Sequence, residues 1–257
     1  MRADPLQFEC RLAADASEVL LAQRLRYTVF IEELGGGGVG VDHDARTETD
    51  EFDAVCEHLL LFDRARPEAE QVVGVYRLLD SARMASGQAF YSETEYHLDP
   101  LRNSGRRLLE LGRSCLHPDY RGGSGMMHLW SMLSRLVDER GIGILFGVAS
   151  FHGTDLSEHA EALSQLHTAH SAPEHLRPES RVFQRLDLVP ASEIDRVRAM
   201  KSIPALIKAY LRLGGTIGAG AYVDHAFNTI DVMLVLDTNN ISERQRAIYR
   251  RTPPQVA

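Results

Sequence analysis

The chain has 257 residues, 44% of them hydrophobic and 25% charged, an ordinary globular make-up with enough length to bury a full core. Its net charge of -8 argues against general nucleic-acid binding, which needs surplus cations to displace counterions from phosphates. No apolar run approaches the roughly 20 residues of a bilayer span, and Met1 to Cys10 carries acids and a proline where a secretory signal needs a basic start and an apolar core, so a cytoplasmic protein is expected.

Asp15 followed by Glu18 has the form of a capping box, and Leu21, Leu25 and Val29 recur at four-residue spacing. An amphipathic helix is predicted over 16–33, stopped by the glycines that follow. Arg26 and Phe30 lie one turn apart at the end that enters the flexible loop 35–40, where helix end and loop can close over a ligand. The runs 55–62 and 72–79 are rich in β-formers and predict two antiparallel strands, with Arg77 on the second. A further strand is predicted over 108–116. The glycine-rich turn 118–125 then leads into a helix over 126–139, whose buried face holds Trp130.

The run 142–151 is almost continuously apolar, as in a strand covered on both faces. From 152 to about 201 His, Glu, Ser and Pro take over, which predicts a largely helical insertion or lid. A helix over 203–213 and a strand over 230–236 complete the order, giving an α/β fold with a mixed sheet flanked by helices, in one domain spanning 1–257. The apolar stripe of the helix after Ile203 suits an acyl tunnel, a lipid surface or the core. Cys10, Cys56 and Cys115 are odd in number and widely spaced, which disfavours a disulfide framework and a zinc site; Cys115 reads as a small buried core residue. The histidines between His152 and His175 lack the carboxylate or cysteine that would complete a metal ligand set.

Four polar clusters stand inside this apolar text: Arg26 with Phe30, Asp50-Glu51-Phe52-Asp53, Arg77, and Glu110-Leu111-Gly112-Arg113. Ionised groups are costly on core elements unless paired or used, so they predict a polar network within a cleft. Arg102, Arg106, Arg107, Arg113 and Arg121 form a basic stretch, and Arg244, Arg246, Arg250 and Arg251 a basic end; an acidic carrier protein suits the first, anionic lipid the second, and a solvated face either.

The order of these clusters resembles the acyl-homoserine-lactone synthases, whose pattern runs Arg-x-x-x-Phe, Asp-x-x-Asp, Arg, Glu-Leu-x-Arg. The second half is similar to a narrower group, the L-ornithine N-acyltransferases of ornithine-lipid synthesis, through 110–121, Phe146-Gly147-Val148-Ala149-Ser150-Phe151 and 203–231. Both families have the GNAT acyltransferase fold, and the resemblance spans about 24–236. It implies transfer of a 3-hydroxyacyl chain from acyl carrier protein to the α-amine of ornithine, with no metal or organic cofactor and the carrier's phosphopantetheine thioester as co-substrate.

By the same resemblance Glu110 is the general-base candidate, with Arg113 beside it on a bulged strand; its other role is a structural ion pair with Arg77 or Arg113. Asp50 and Asp53 bind the cationic part of the acceptor or fix the arginines, Arg26 and Arg77 hold a carboxylate or orient the aspartates, and Phe30 packs on the acyl or pantetheine chain. Arg121, Gly122, Gly123, Ser124 and Gly125 form the donor-binding turn. Ser124 and Met126 depart from the GNAT pattern Gln/Arg-x-x-Gly-x-Gly/Ala, which favours a carrier-linked donor over acyl-CoA. The rivals are an autoinducer synthase, an N-acyltransferase for another amino acid or using acyl-CoA, and a non-catalytic lipid- or carrier-binding module. Product release toward a membrane makes peripheral contact with lipid a further expectation.

Overall fold

A computed structural model describes residues 7–250, with side chains to 247. Arg251, the side chain of Arg250 and most of the segment read for a secretory signal lie outside the described residues. In chain order the elements are β1 (Phe8–Leu12), α1 (Ala16–Arg26), β2 (Val41–Asp42), β3 (Thr47–Glu48), β4 (Glu57–Asp63), β5 (Val72–Asp80), β6 (Tyr96–His97) and α2 (Asp99–Arg102). There follow β7 (Leu108–Leu116), α3 (Gly125–Arg140), β8 (Ile144–His152), α4 (Ala160–His170), β9 (Glu179–Ser180), α5 (Arg196–Ser202), α6 (Ala205–Arg212), β10 (Thr216–Asp224), β11 (Thr229–Asp237) and α7 (Glu243–Arg250).

Among the described residues they form two compact units, 7–79 with 111–141 and 246–250, and 80–110 with 142–245. In the first, β1 pairs antiparallel with β4, and β4 with β5. Asp15 caps α1 by accepting from Ser17 N and Glu18 N, while Glu18 reaches back to Ala14 N at 2.7 Å. Beyond Arg26 the helix continues as a π-helix, Tyr27–Glu33, so the predicted span is right but its last turns are widened. Ala22, Leu25 and Val29 pack on Leu60, Phe62, Val72, Val75 and Cys115, and Phe30 and Leu34 lie against that cluster. This burial holds the end of α1 over the sheet.

Gly40 fixes the β2–β3 hairpin rather than loosening it. A Cβ there would stand 1.6 Å from Thr49 O, and the two backbones bond directly, Thr49 N to Gly40 O at 2.8 Å. Trp130 on α3 is core, as predicted, and donates Nε1–H to Tyr76 at 3.0 Å.

In the second unit, residues 108–110 of β7 pair parallel with 144–146 of β8, and β8 pairs antiparallel with β11, β11 antiparallel with β10, β10 parallel with β9 and β9 antiparallel with β6. The sheet is mixed, α4 packs on β10, and α6 packs on β11 through buried Ile207 and Tyr210. The apolar stripe of α6 therefore belongs to the core. The insertion is helical mainly at its ends, in α4 and α5; between them Pro173, Pro178 and Pro190 remove N–H donors, and 181–195 has no regular element. Among the described residues no helix is long and apolar enough to cross a membrane.

Candidate active site

Five of the predicted site residues meet within the first unit, joined by a sixth. Arg26 leaves the end of α1 and is fully buried. Its Nη1 and Nη2 donate to the two carboxylate oxygens of Asp53 at 2.7 and 2.6 Å, its Nε lies 2.5 Å from Glu48 Oε2, and Nη2 also donates to Glu48 O. Arg77 on β5 donates Nη1–H to Asp50 at 2.5 Å and Asp53 at 3.0 Å. Arg113 on β7 reaches Glu48 at 3.1 Å and Asp50 at 3.0 Å. Gln23, one turn ahead of Arg26, adds a bond to Asp53 at 3.0 Å.

Local sequence explains the placement. Asp50 caps the 3-10 turn Glu51–Ala54 by accepting from Phe52 N, and that turn presents Asp50 and Asp53 three residues apart. Glu48 ends the hairpin that Gly40 pins. It is 2% exposed and was not singled out from the sequence, because it stands in an acid-rich run that reads as surface. Its signal was its place two residues before the Asp-x-x-Asp pair.

Three guanidinium groups face three carboxylates, so the network is charge-balanced. Burial alone would push the Asp53 carboxyl up, but the Arg26 hydrogen bonds and the charges of Arg26 and Arg77 outweigh it and hold it far below the usual carboxylate range. Burial likewise opposes the charge on Arg26; Asp53 and Glu48 reverse that and raise its pKa. Arg26 and Glu48 are sealed, whereas Asp50 and Arg113 keep 20% and 11% of their side chains open, so solvent meets the network at those two groups.

Arg113 has φ +48°, a left-handed conformation inside a strand. Glu110 belongs to the second unit, where it is the last β7 residue to pair with β8, opposite Phe146. It is 4% exposed, and its two oxygens accept Tyr91 N–H at 2.9 Å and Ser92 N–H at 2.7 Å. These bonds favour the ionised carboxylate and tie β7 to the turn Tyr91–Thr94.

The predicted donor turn is a strand-to-helix turn of the kind that leaves amides free at a helix start. Gly122 is left-handed at φ +73°, Ser124 stands at the N-cap without a side-chain cap bond, and Gly125 opens α3. Gly123 sits between them with room for a side chain. Arg121 is bidentate to Glu33 at 2.5 and 2.7 Å and donates to Leu116 O. The other arginines of the basic stretch are also paired: Arg102 with Glu93, Arg106 with Asp237, Arg107 with Asp80. The stretch is not an uncompensated cationic patch. Arg246 at the basic end pairs with Asp138.

Cys115 is buried in the core with its thiol pushed up to about 12 by burial, as suits a packing residue. His43 bonds Tyr27 Oη through Nδ1 at 2.9 Å. Among the described residues, the group able to hold a cation is Glu95, Asp224 and Asp231, whose ligand oxygens lie within 4.8 Å of one another; no histidine joins it. Burial, then the charges of Glu95 and Asp231, push the neighbouring Tyr96 hydroxyl well above its ordinary value.

A mixed sheet with flanking helices, an interrupted strand and a glycine turn at a helix start define a GNAT-type acyltransferase. The acetyltransferase (GNAT) domain family matches residues 25–131. The fold is shared with FeeM, an N-acyl amino acid synthase from uncultured soil microbes (TM-score 0.53, 13% identity, 93% of this chain and 97% of that one). It is shared also with BjaI, a CoA-dependent acyl-homoserine lactone synthase (TM-score 0.52, 14% identity, 96% and 89%).

The chain belongs to the L-ornithine N(alpha)-acyltransferase family, being 56% identical over 253 residues to the enzyme of that name from Rhodobacter capsulatus, with 98% of each chain covered.

Proposed function

We propose that the protein transfers a long 3-hydroxyacyl chain from the phosphopantetheine thioester of acyl carrier protein to the α-amine of L-ornithine, giving lyso-ornithine lipid and free carrier. The near full-length identity to an L-ornithine N(alpha)-acyltransferase carries this reading. A C–N bond forms at the acyl carbon as the C–S bond breaks; the nitrogen loses a proton and the carrier leaves as a thiol.

The network supports an amino-acid acceptor. A charge-balanced, largely desolvated set of groups best accommodates a zwitterionic head, which adds opposite charges in pairs. Asp50 and Arg113, at the open end, contact the acceptor's ammonium and carboxylate. Arg26, Arg77, Glu48 and Asp53 orient them from behind, and Phe30 packs on the acyl arm. By the family likeness Glu110 serves as proton acceptor for the attacking amine, an ionised carboxylate being able to take that proton. The turn 121–125 receives the pantetheine end of the donor, and the left-handed backbone at Arg113 turns an N–H toward the developing oxyanion. We place the enzyme in the cytoplasm, releasing its product toward the inner membrane face.

Expression in a bacterium lacking such lipids, followed by mass spectrometry of the lipid extract, tests this, with purified enzyme given acyl carrier protein or acyl-CoA and ornithine or S-adenosylmethionine. The expected product is the 3-hydroxyacyl amide of ornithine from the carrier-linked donor. A homoserine lactone, or preference for acyl-CoA, overturns it.

A further inference from the structure

His58 stands on β4 directly across from Arg77 on β5, so both side chains project from the same face of the sheet. It is 2% exposed and was passed over in the sequence as one polar residue in an apolar strand. Its Nε2 lies 3.2 Å from the backbone carbonyl of Asp53. A carbonyl only accepts, so Nε2 carries the proton and donates.

The other nitrogen, Nδ1, is buried with no hydrogen-bond partner. A second proton would have no acceptor there. The charged groups facing the ring are Asp53 from the 3-10 turn, Arg26 from α1 and Arg77 from β5; burial, with the two arginines, outweighs Asp53 and lowers the imidazole pKa. The ring is thus a neutral strut with one working bond, and that bond ends on the turn that presents Asp50 and Asp53 to the arginines.

We infer that His58 is a positioning residue for acceptor binding: its single Nε2–H bond to the Asp53 carbonyl sets the seat of the acidic turn. The inference rests on the reading of that cluster as the acceptor site. The arginines hold the carboxylate ends of the turn's side chains, and the strut holds its backbone. It anchors the backbone at Asp53, three residues from Asp50, so Asp50 stays at the open end, between Arg77 and Arg113.

Two substitutions differ only in reach. In His58→Gln the side-chain amide reaches the place of Nε2, and in His58→Asn it falls one carbon short. With Asp50→Asn as a third variant, KM for ornithine, KM for the acyl donor, kcat and melting temperature are measured. H58N is expected to raise the ornithine KM roughly tenfold with the donor KM unchanged, and H58Q to restore most of it. Equal ornithine KM values for H58N and H58Q, or loss of folded protein in both, overturn the inference and leave His58 a stability residue. If D50N raises the ornithine KM while H58N does not, the role of His58 alone fails. If D50N leaves it unchanged, the acceptor-site reading fails and the inference with it.

Discussion

The guanidinium of Arg26 and the carboxylate of Asp53 meet in two parallel hydrogen bonds, 2.7 and 2.6 Å long, with the arginine fully enclosed and the aspartate 8% exposed. Such a fork fixes the angle between α1 and the acidic turn in a way an ammonium could not. Arg26→Met preserves the volume but leaves Glu48 and Asp53 facing less positive charge in a buried setting. We expect a loss of about 3–5 kcal/mol, seen as a lower urea midpoint with an unchanged slope. An unchanged midpoint would show that the network contributes nothing to folding.

Acid should unfold the protein from two directions. Asp53 titrates far below its ordinary value when folded, so its contribution is complete above the unfolded carboxylate range and is lost as pH falls through the folded value. His58 has a lowered folded pKa, so below about 6.5 the unfolded chain binds the extra proton more readily and stability declines as pH falls. Urea midpoints between pH 7.5 and 2 should therefore fall on acidification, the part below about 4 reporting Asp53, and H58Q should flatten the decline nearest neutrality. A flat wild-type profile contradicts both assignments.

Five members of the network were legible because arginine and aspartate are conspicuous on apolar elements and match a family register. Glu48 and His58 were not. A two-residue strand such as β3 is too short to show alternation, and one histidine in the apolar run of β4 resembles a packed core residue. The strand β10 also escaped, since glycines interrupt its alternation and its pairing with β11 shifts between Ile217 and Ala221. Nor does the apolar pattern of β7 mark where it passes from one compact unit, with 108–110, to the other, with 111–116.

Gly40 illustrates how a glycine can be mistaken for a source of mobility. Its missing side chain is what lets the backbone meet Thr49, and the hairpin so closed carries Glu48 to the two arginines. Gly40→Ala should cost on the order of 1–3 kcal/mol and reduce turnover with ornithine, because the hairpin must open to admit the methyl group. Stability and activity equal to wild type would mean that the hairpin does not set the position of Glu48.

Glu110 joins two demands in one side chain, and replacing it with glutamine separates them. The carboxylate offers an acceptor to both Tyr91 N–H and Ser92 N–H; an amide offers one oxygen and turns its NH2 toward the other donor. That mismatch should lower stability by about 1–3 kcal/mol. If Glu110 also takes the proton from the acceptor amine, kcat should fall by about 10²–10⁴-fold, with the acyl-donor KM little changed and the acidic limb of the pH–rate profile lost. Measuring kcat at saturating folded enzyme, by pre-steady-state turnover below the melting transition, keeps the two effects apart. A variant that melts early yet retains wild-type kcat would make Glu110 an anchor for the Tyr91–Thr94 turn and place the proton acceptor elsewhere.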